Sequence, residues 1–174
     1  GGMRTFWEVA RDRIAAGETS FQEVERVLGL IPDVTQSAGA MAPVLVVDDE
    51  EQDRFLIRGV LEDMDFQVVE AGSGREALSL LKSGDHDFSL VVLDLIMPEV
   101  DGTEVLRRIR RSLRTQALPV VVLTASPDPR HEIELLDAGA DDYILKPIVV
   151  ERLQARVSAV LRRSGFRLSK TATA

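Results

Sequence analysis

The 174-residue chain is 45% hydrophobic and 29% charged, enough to bury one substantial core and carry a small appendage. A formal net charge of −8 argues against nonspecific binding to nucleic acid or anionic membrane, since both depend on a Lys/Arg excess. The absence of cysteine excludes disulfides and thiolate metal sites and makes the cytoplasm the expected address, and no apolar run reaches the length of a membrane span.

From the N-terminus, Thr5 to Ala16 carries apolar residues at Phe6, Val9, Ala10, Ile14 and Ala15 and is followed by Gly17, the pattern of a short helix with a glycine cap. Ser20 and Glu23 form a capping-box pair opening a second helix, with Phe21, Val24, Val27 and Leu28 as its stripe. Residues 1–31 are therefore expected to form a helical hairpin too small to hold a core of its own. Residues 32–42, polar, small and bounded by Pro32 and Pro43, read as a linker.

A different rhythm starts at residue 43. Val44-Leu45-Val46-Val47 is an apolar run ending on Asp48-Asp49-Glu50, followed by a helical pattern from Gln52 to Met64. Phe66 to Glu70 predicts a second strand, and Gly74 to Lys82 a helix closed by Gly84. Phe88 to Leu93 predicts a third strand that delivers Asp94 to a loop, where Pro98 and the turn signal Asp101-Gly102 end the ladder. Glu104 to Ser112 is expected as a helix, Leu118 to Leu123 as a strand ending at Thr124, and His131 to Asp137 as a helix stopped by Gly139. Asp142 to Leu145 predicts a fifth strand ending at Lys146-Pro147, and Val149 to Arg162 the last helix; a flexible tail is expected over 164–174. Five strands alternating with five helices over 43–163 predict a doubly wound α/β domain with one parallel sheet covered on both faces.

Ligands of such sheets gather at the carboxyl ends of the strands. Asp48 and Asp49 end the first strand and Asp94 the third, and in the flavodoxin-like order 2-1-3-4-5 these two strands are neighbours at the switch point. Carboxylates this close repel one another and call for a compensating cation; with only oxygen ligands on offer, a hard cation such as Mg²⁺ fits. Thr124 and Lys146 close two further strands on the same edge, where a hydroxyl and an ammonium can support an anionic group attached to Asp94.

Four pieces now fall in order on successive strand ends: Leu45-Val46-Val47-Asp48-Asp49-Glu50, Val92-Leu93-Asp94-Leu95-Ile96-Met97-Pro98 with Asp101-Gly102, Val122-Leu123-Thr124-Ala125, and Ala140-Asp141-Asp142-Tyr143-Ile144-Leu145-Lys146-Pro147. In them the chain resembles the receiver domain of two-component response regulators. The resemblance implies a flavodoxin-like (βα)5 fold and a signalling switch rather than an enzyme with turnover, in which Asp94 accepts a phosphoryl group from a sensor histidine kinase or phosphotransfer protein. It implies Mg²⁺ held directly by Asp49 and Asp94, by the backbone carbonyl of Ile96, and by Asp48 through water. Thr124 and Lys146 would contact the phosphoryl oxygens, Tyr143 would turn inward on activation, and the Lys146-Pro147 bond would be cis.

The N-terminal hairpin is similar, through Gly2-Met3-Arg4-Thr5, Ala16-Gly17-Glu18-Thr19-Ser20 and Glu23-Val24-Glu25-Arg26-Val27, to the extreme C-terminal end of type II secretion and type IV pilus assembly ATPases. That likeness implies an ATPase partner, in the same chain or another, as the regulated machine. The phosphate-binding loop is absent from the sequence, so no nucleotide hydrolysis is implied. Output is expected through that partner or through a homodimer, with no nucleic acid bound and no membrane insertion.

Taken singly, these residues have plainer readings. Asp48 or Asp49 alone reads as a helix N-cap, Thr124 as a loop cap, and Tyr143 as a fixed half-buried strand aromatic. His86, His131, Glu50-Glu51, Asp141-Asp142 and the run Arg107 to Arg111 read as solvated surface. Two other functions use similar parts. A phosphorylation-independent pseudo-receiver would lack Mg²⁺ binding, and an aspartate-nucleophile phosphohydrolase of the haloacid dehalogenase type places a second Asp where this chain has Ile96.

Overall fold

The computed structural model of the chain describes residues 42–165. In chain order these form β1 (Val44–Val47), α1 (Glu51–Glu62), β2 (Val68–Ala71), α2 (Gly74–Ser83), β3 (Leu90–Asp94), α3 (Gly102–Arg111), β4 (Val120–Thr124), α4 (Pro129–Asp137), β5 (Asp142–Leu145) and α5 (Val150–Arg163). All four strand pairs are parallel, as the alternation of elements predicts, and the order is β2-β1-β3-β4-β5, the flavodoxin-like arrangement that the receiver resemblance implies. The hairpin expected over 1–31 lies outside the described residues, as do all of the linker except Ala42 and all of the tail except Ser164 and Gly165.

The continuous apolar runs of the central strands divide between two cores because successive side chains leave a strand on opposite faces. Val44, Val46, Leu90, Val92, Val121 and Leu123 pack with Ile57 and Leu61 of α1 and Leu153 and Val157 of α5. Leu45, Val47, Val91, Leu93, Val120 and Val122 pack on the other face with Ala77 of α2, Val105 and Leu106 of α3 and Leu135 of α4. Every residue of β1, β3 and β4 is buried, so these strands cannot slide by one position without exchanging their two cores.

Boundaries differ from the sequence expectation where side chains act at element ends. Phe66 precedes β2 and is buried in the first core, following a turn at Asp65 (φ 66°). Asp101-Gly102 is more than a turn: the Asp101 carboxylate accepts from the Glu104 amide at 2.8 Å and caps α3, whose first residue is Gly102.

Two of the segments read as solvated surface are structural. Asp142 is buried and accepts from Arg156 at 3.1 Å and Arg163 at 3.3 Å, pinning the start of β5 to α5. Arg110 donates to the carbonyls of Gly139 (2.8 Å) and Leu118 (2.7 Å) and to Asp141 (2.9 Å), which in turn accepts from the Val120 amide at 2.8 Å. The arginine run thus has one member clamping the entries to β4 and β5, while Arg107, Arg108 and Arg111 stay exposed.

Gly102 decides how closely α3 approaches the end of β3. A Cβ there would collide with the Asp94 carbonyl oxygen and lie 2.7 Å from the Leu95 Cα, and the Gly102 amide donates to the Leu95 carbonyl at 2.9 Å. Backbone atoms cannot swing aside as a flexible side chain can. Gly102→Ala is therefore expected to destabilise the domain by roughly 1–3 kcal/mol in chemical denaturation, the usual cost of overpacking; an unchanged midpoint would show that α3 can move away freely.

Candidate functional site

The site is assembled at the carboxyl edge of the sheet, where β1, β3, β4 and β5 lie side by side. Parallel register puts Val47 opposite Leu93, Asp94 opposite Leu123 and Thr124 opposite Leu145, so the residues that leave these strands are brought together by topology. The amide of Lys146 donates to the Thr124 carbonyl at 2.8 Å, fixing the start of the Lys146 side chain beside β4. The Lys146–Pro147 peptide bond is cis, as the sequence resemblance implies.

From there the ammonium of Lys146 reaches across the edge and meets three carboxylates. Its Nζ lies 3.0 Å from Asp48 Oδ2, 2.8 Å from Asp53 Oδ2 and 3.4 Å from Asp94 Oδ2. Asp48 is fully buried and Asp94 nearly so, whereas Asp49, one residue on, is exposed. The other oxygen of Asp48 accepts from the Glu50 amide at 2.9 Å, and Arg54 donates to the Asp48 carbonyl at 2.8 Å. Asp94 Oδ1 accepts from the Ile96 amide at 3.3 Å, while the Ile96 side chain points out of the fold and is 69% exposed.

Burial and the neighbouring charge of Asp48 push the Asp94 carboxyl above its ordinary value, with Lys146 and the Ile96 amide pulling the other way. Burial alone would pull the Lys146 ammonium down, but its hydrogen bonds to Asp53 and Asp48 and the charges of Asp48 and Asp94 raise it far above the usual lysine value. It stays charged. Three carboxylates thus meet one ammonium, with Asp49 as a fourth beside Asp48 and Asp94, and the local balance is negative.

That imbalance fits a cation. Asp48, Asp49 and Asp94 each offer an oxygen, and these oxygens lie within 4.8 Å of one another. Both oxygens of Asp48 already have hydrogen-bond partners, whereas Asp49 faces solvent and, among the described residues, Asp94 Oδ1 accepts one long bond, from Ile96. An all-oxygen set of this kind suits Mg²⁺, which prefers few carboxylates and retains water.

Thr124 is buried at the end of β4, and its Oγ1 accepts from the Ser126 amide at 3.1 Å. The loop-capping reading of Thr124 is thus correct, and it leaves the hydroxyl proton available, because accepting a bond does not use the donor. Beyond it, a cavity of about 240 Å³ is lined by Thr124, Leu135, Tyr143 and Leu145. Tyr143 is half-buried, and the Glu132 carboxylate facing its hydroxyl, followed by burial, raises its pKa.

Sequence reasoning missed Asp53, the nearest partner of Lys146, and Arg54, which holds the Asp48 backbone. Both lie in the first turn of α1, an acid followed by a base shortly after the strand-end acids, read there as helix patterning alone.

A family model described as "Response regulator receiver domain" matches residues 44–158. The chain belongs to that family. The receiver is 37% identical over 121 residues to the transcriptional regulatory protein SrrA of Staphylococcus aureus (strain NCTC 8325 / PS 47), a match that covers 70% of this chain and 48% of that protein. The chain thus spans about half the length of the curated relatives it matches. Among solved structures the receiver resembles chemotaxis protein CheY4 of Vibrio cholerae, with 30% identity, a TM-score of 0.64, and coverage of 70% of this chain and 99% of that one. It likewise resembles the signal receiver domain of a signal transduction histidine kinase from Syntrophus aciditrophicus, with 30% identity, a TM-score of 0.65, and coverage of 77% and 98%.

The raised Asp94 carboxyl gives a pH dependence in the receiver. A folded-state acid with a raised value holds a proton that the unfolded chain has released, so stability falls as pH rises from the ordinary value near 3.8 through the folded one. In EDTA at neutral pH, Asp94→Asn should therefore melt at a higher temperature than the wild type, and the gap should close as pH is lowered below that ordinary value. A lower melting temperature for the variant at neutral pH would mean that the ionised carboxylate stabilises the fold.

Proposed function

We propose that the chain is a phosphorylation-dependent signalling switch whose phosphoacceptor is Asp94. The observation that carries this reading is the juxtaposition of a buried Asp94 with a permanently charged Lys146 on one strand end and the Thr124 hydroxyl on another. An Asp94 carboxylate oxygen attacks the phosphorus of a phosphohistidine on a sensor histidine kinase or phosphotransfer protein. The new O–P bond forms as the P–N bond breaks, and the electron pair stays on the imidazole nitrogen, which takes up a proton.

Asp49, Asp94 and the Ile96 carbonyl would hold Mg²⁺ directly, with Asp48 acting through water. When bound, the ion offsets the charge of the carboxylates and of the incoming phosphoryl group. Lys146 and Thr124 then supply donors to phosphoryl oxygens where charge accumulates. With Thr124 drawn toward that group, the cavity beside it offers Tyr143 room to leave Glu132 and turn inward, shifting the population of the face that carries it. The domain assists its own phosphorylation and dephosphorylation and has no other turnover. The residue pattern of 1–31 supports an assembly ATPase of the secretion or pilus type as the regulated partner.

Incubation with Mg²⁺ and a small phosphodonor such as acetyl phosphate, followed by intact mass measurement, tests the reading. One phosphoryl adduct is expected on the wild type, with none on Asp94→Asn and none on the wild type in EDTA. An undiminished adduct on Asp94→Asn would refute Asp94 as the acceptor.

A further inference from the structure

We infer that Asp53 is a positioning residue that restrains Lys146, keeping its ammonium from the group carried by Asp94 until a phosphoryl oxygen competes for it. The inference rests on the phosphoacceptor reading above and adds a residue that the reading does not need.

A lysine ammonium has three N–H bonds and no acceptor. In this site three carboxylates stand within reach of it, at 2.8 Å (Asp53), 3.0 Å (Asp48) and 3.4 Å (Asp94). The longest contact is the one to the acceptor residue itself. A phosphoryl oxygen on Asp94 replaces that long contact, and a bond of ordinary length to it draws the ammonium away from one of the other two.

Burial decides which one yields. The Asp48 side chain is 0% exposed, and losing Lys146 would strand a buried charge, which is strongly unfavourable. The Asp53 side chain is 28% exposed and can be rehydrated when its partner leaves. Its bond to Lys146 is therefore both the shortest of the three and the cheapest to release. Arg54, the next residue, cannot replace the lysine as a partner in that position, since it is turned to the Asp48 carbonyl at 2.8 Å and to Glu70 at 3.5 Å.

A first-turn acid on a helix has a plainer role, favouring the positive end of the helix dipole. Glu51 already fills it, and the Asp53 carboxylate is instead committed across the sheet edge to the residue that ends β5. When the competent arrangement is only part of the population, apparent affinity falls by that fraction. Removing the restraint should raise it.

Beryllofluoride, a phosphoryl mimic, titrated in the presence of Mg²⁺ and followed by ¹⁹F NMR, reads this directly in the full chain, with melting temperatures recorded for each variant. Asp53→Asn is expected to bind beryllofluoride about fivefold more tightly than the wild type, the scale of a partly exposed ion pair. Glu51→Gln removes the same charge from the same helical turn without touching Lys146, and should change affinity less than about twofold. Asp53→Asn binding no tighter than the wild type, or Glu51→Gln matching its gain, overturns the inference, as does a lowered melting temperature with unchanged affinity. If the wild type binds no beryllofluoride and takes up no phosphoryl group, the proposed function fails and this inference fails with it; if the wild type does both and Asp53→Asn behaves like it, only this inference fails.

Discussion

The contact between the Lys146 ammonium and the buried carboxylates of Asp48 and Asp94 is the constraint on which the rest of the site depends. Two acids lie at the ends of neighbouring strands with little access to water, an arrangement that unscreened repulsion opposes. One cation inside the fold reduces that cost without removing it, which is why the Asp94 carboxyl remains above its ordinary value. A site left slightly too negative is suited to take up a divalent cation.

The fold delivers this arrangement through its topology. Parallel strands end on the same edge, and the order β2-β1-β3-β4-β5 makes β1, β3, β4 and β5 successive neighbours, so Asp48, Asp94, Thr124 and Lys146 gather on one edge although 98 residues separate Asp48 from Lys146. The two cores hold β1, β3 and β4 from both faces and fix their register. β5 sits at the sheet edge and needs more. Asp142 is clamped by Arg156 and Arg163 at its start, Arg110 secures the turn leading into it, and Lys146 is held at its end. The lysine reaches the acids from a strand fixed at both ends.

Much of this was legible in the sequence because local patterns encode it. Apolar runs of four or five residues ending on Asp48, Asp94 and Thr124 located the strands and the active edge, and Gly84 and Gly139 marked helix ends that the structure keeps. The flavodoxin-like order and the cis bond before Pro147 were implied by the resemblance to receiver domains. What was missed is long-range pairing of charges. Asp142 reads as one more surface acid until α5 brings Arg156 and Arg163 to it, and Arg110 looks like its exposed neighbours although it alone faces three carbonyls and Asp141. Asp53 was overlooked for the same reason, since its partner lies in another strand and no helical periodicity points to it.

The most direct test of the central contact is the unfolding free energy of Lys146→Met at neutral pH, measured in EDTA and again with Mg²⁺. If the ammonium compensates the buried acids, the variant should lose roughly 2 kcal/mol or more in EDTA, the scale of an ion pair broken in a largely buried site. Part of that loss should return with Mg²⁺ or with lowered pH. A variant as stable as the wild type in EDTA at neutral pH would contradict the account.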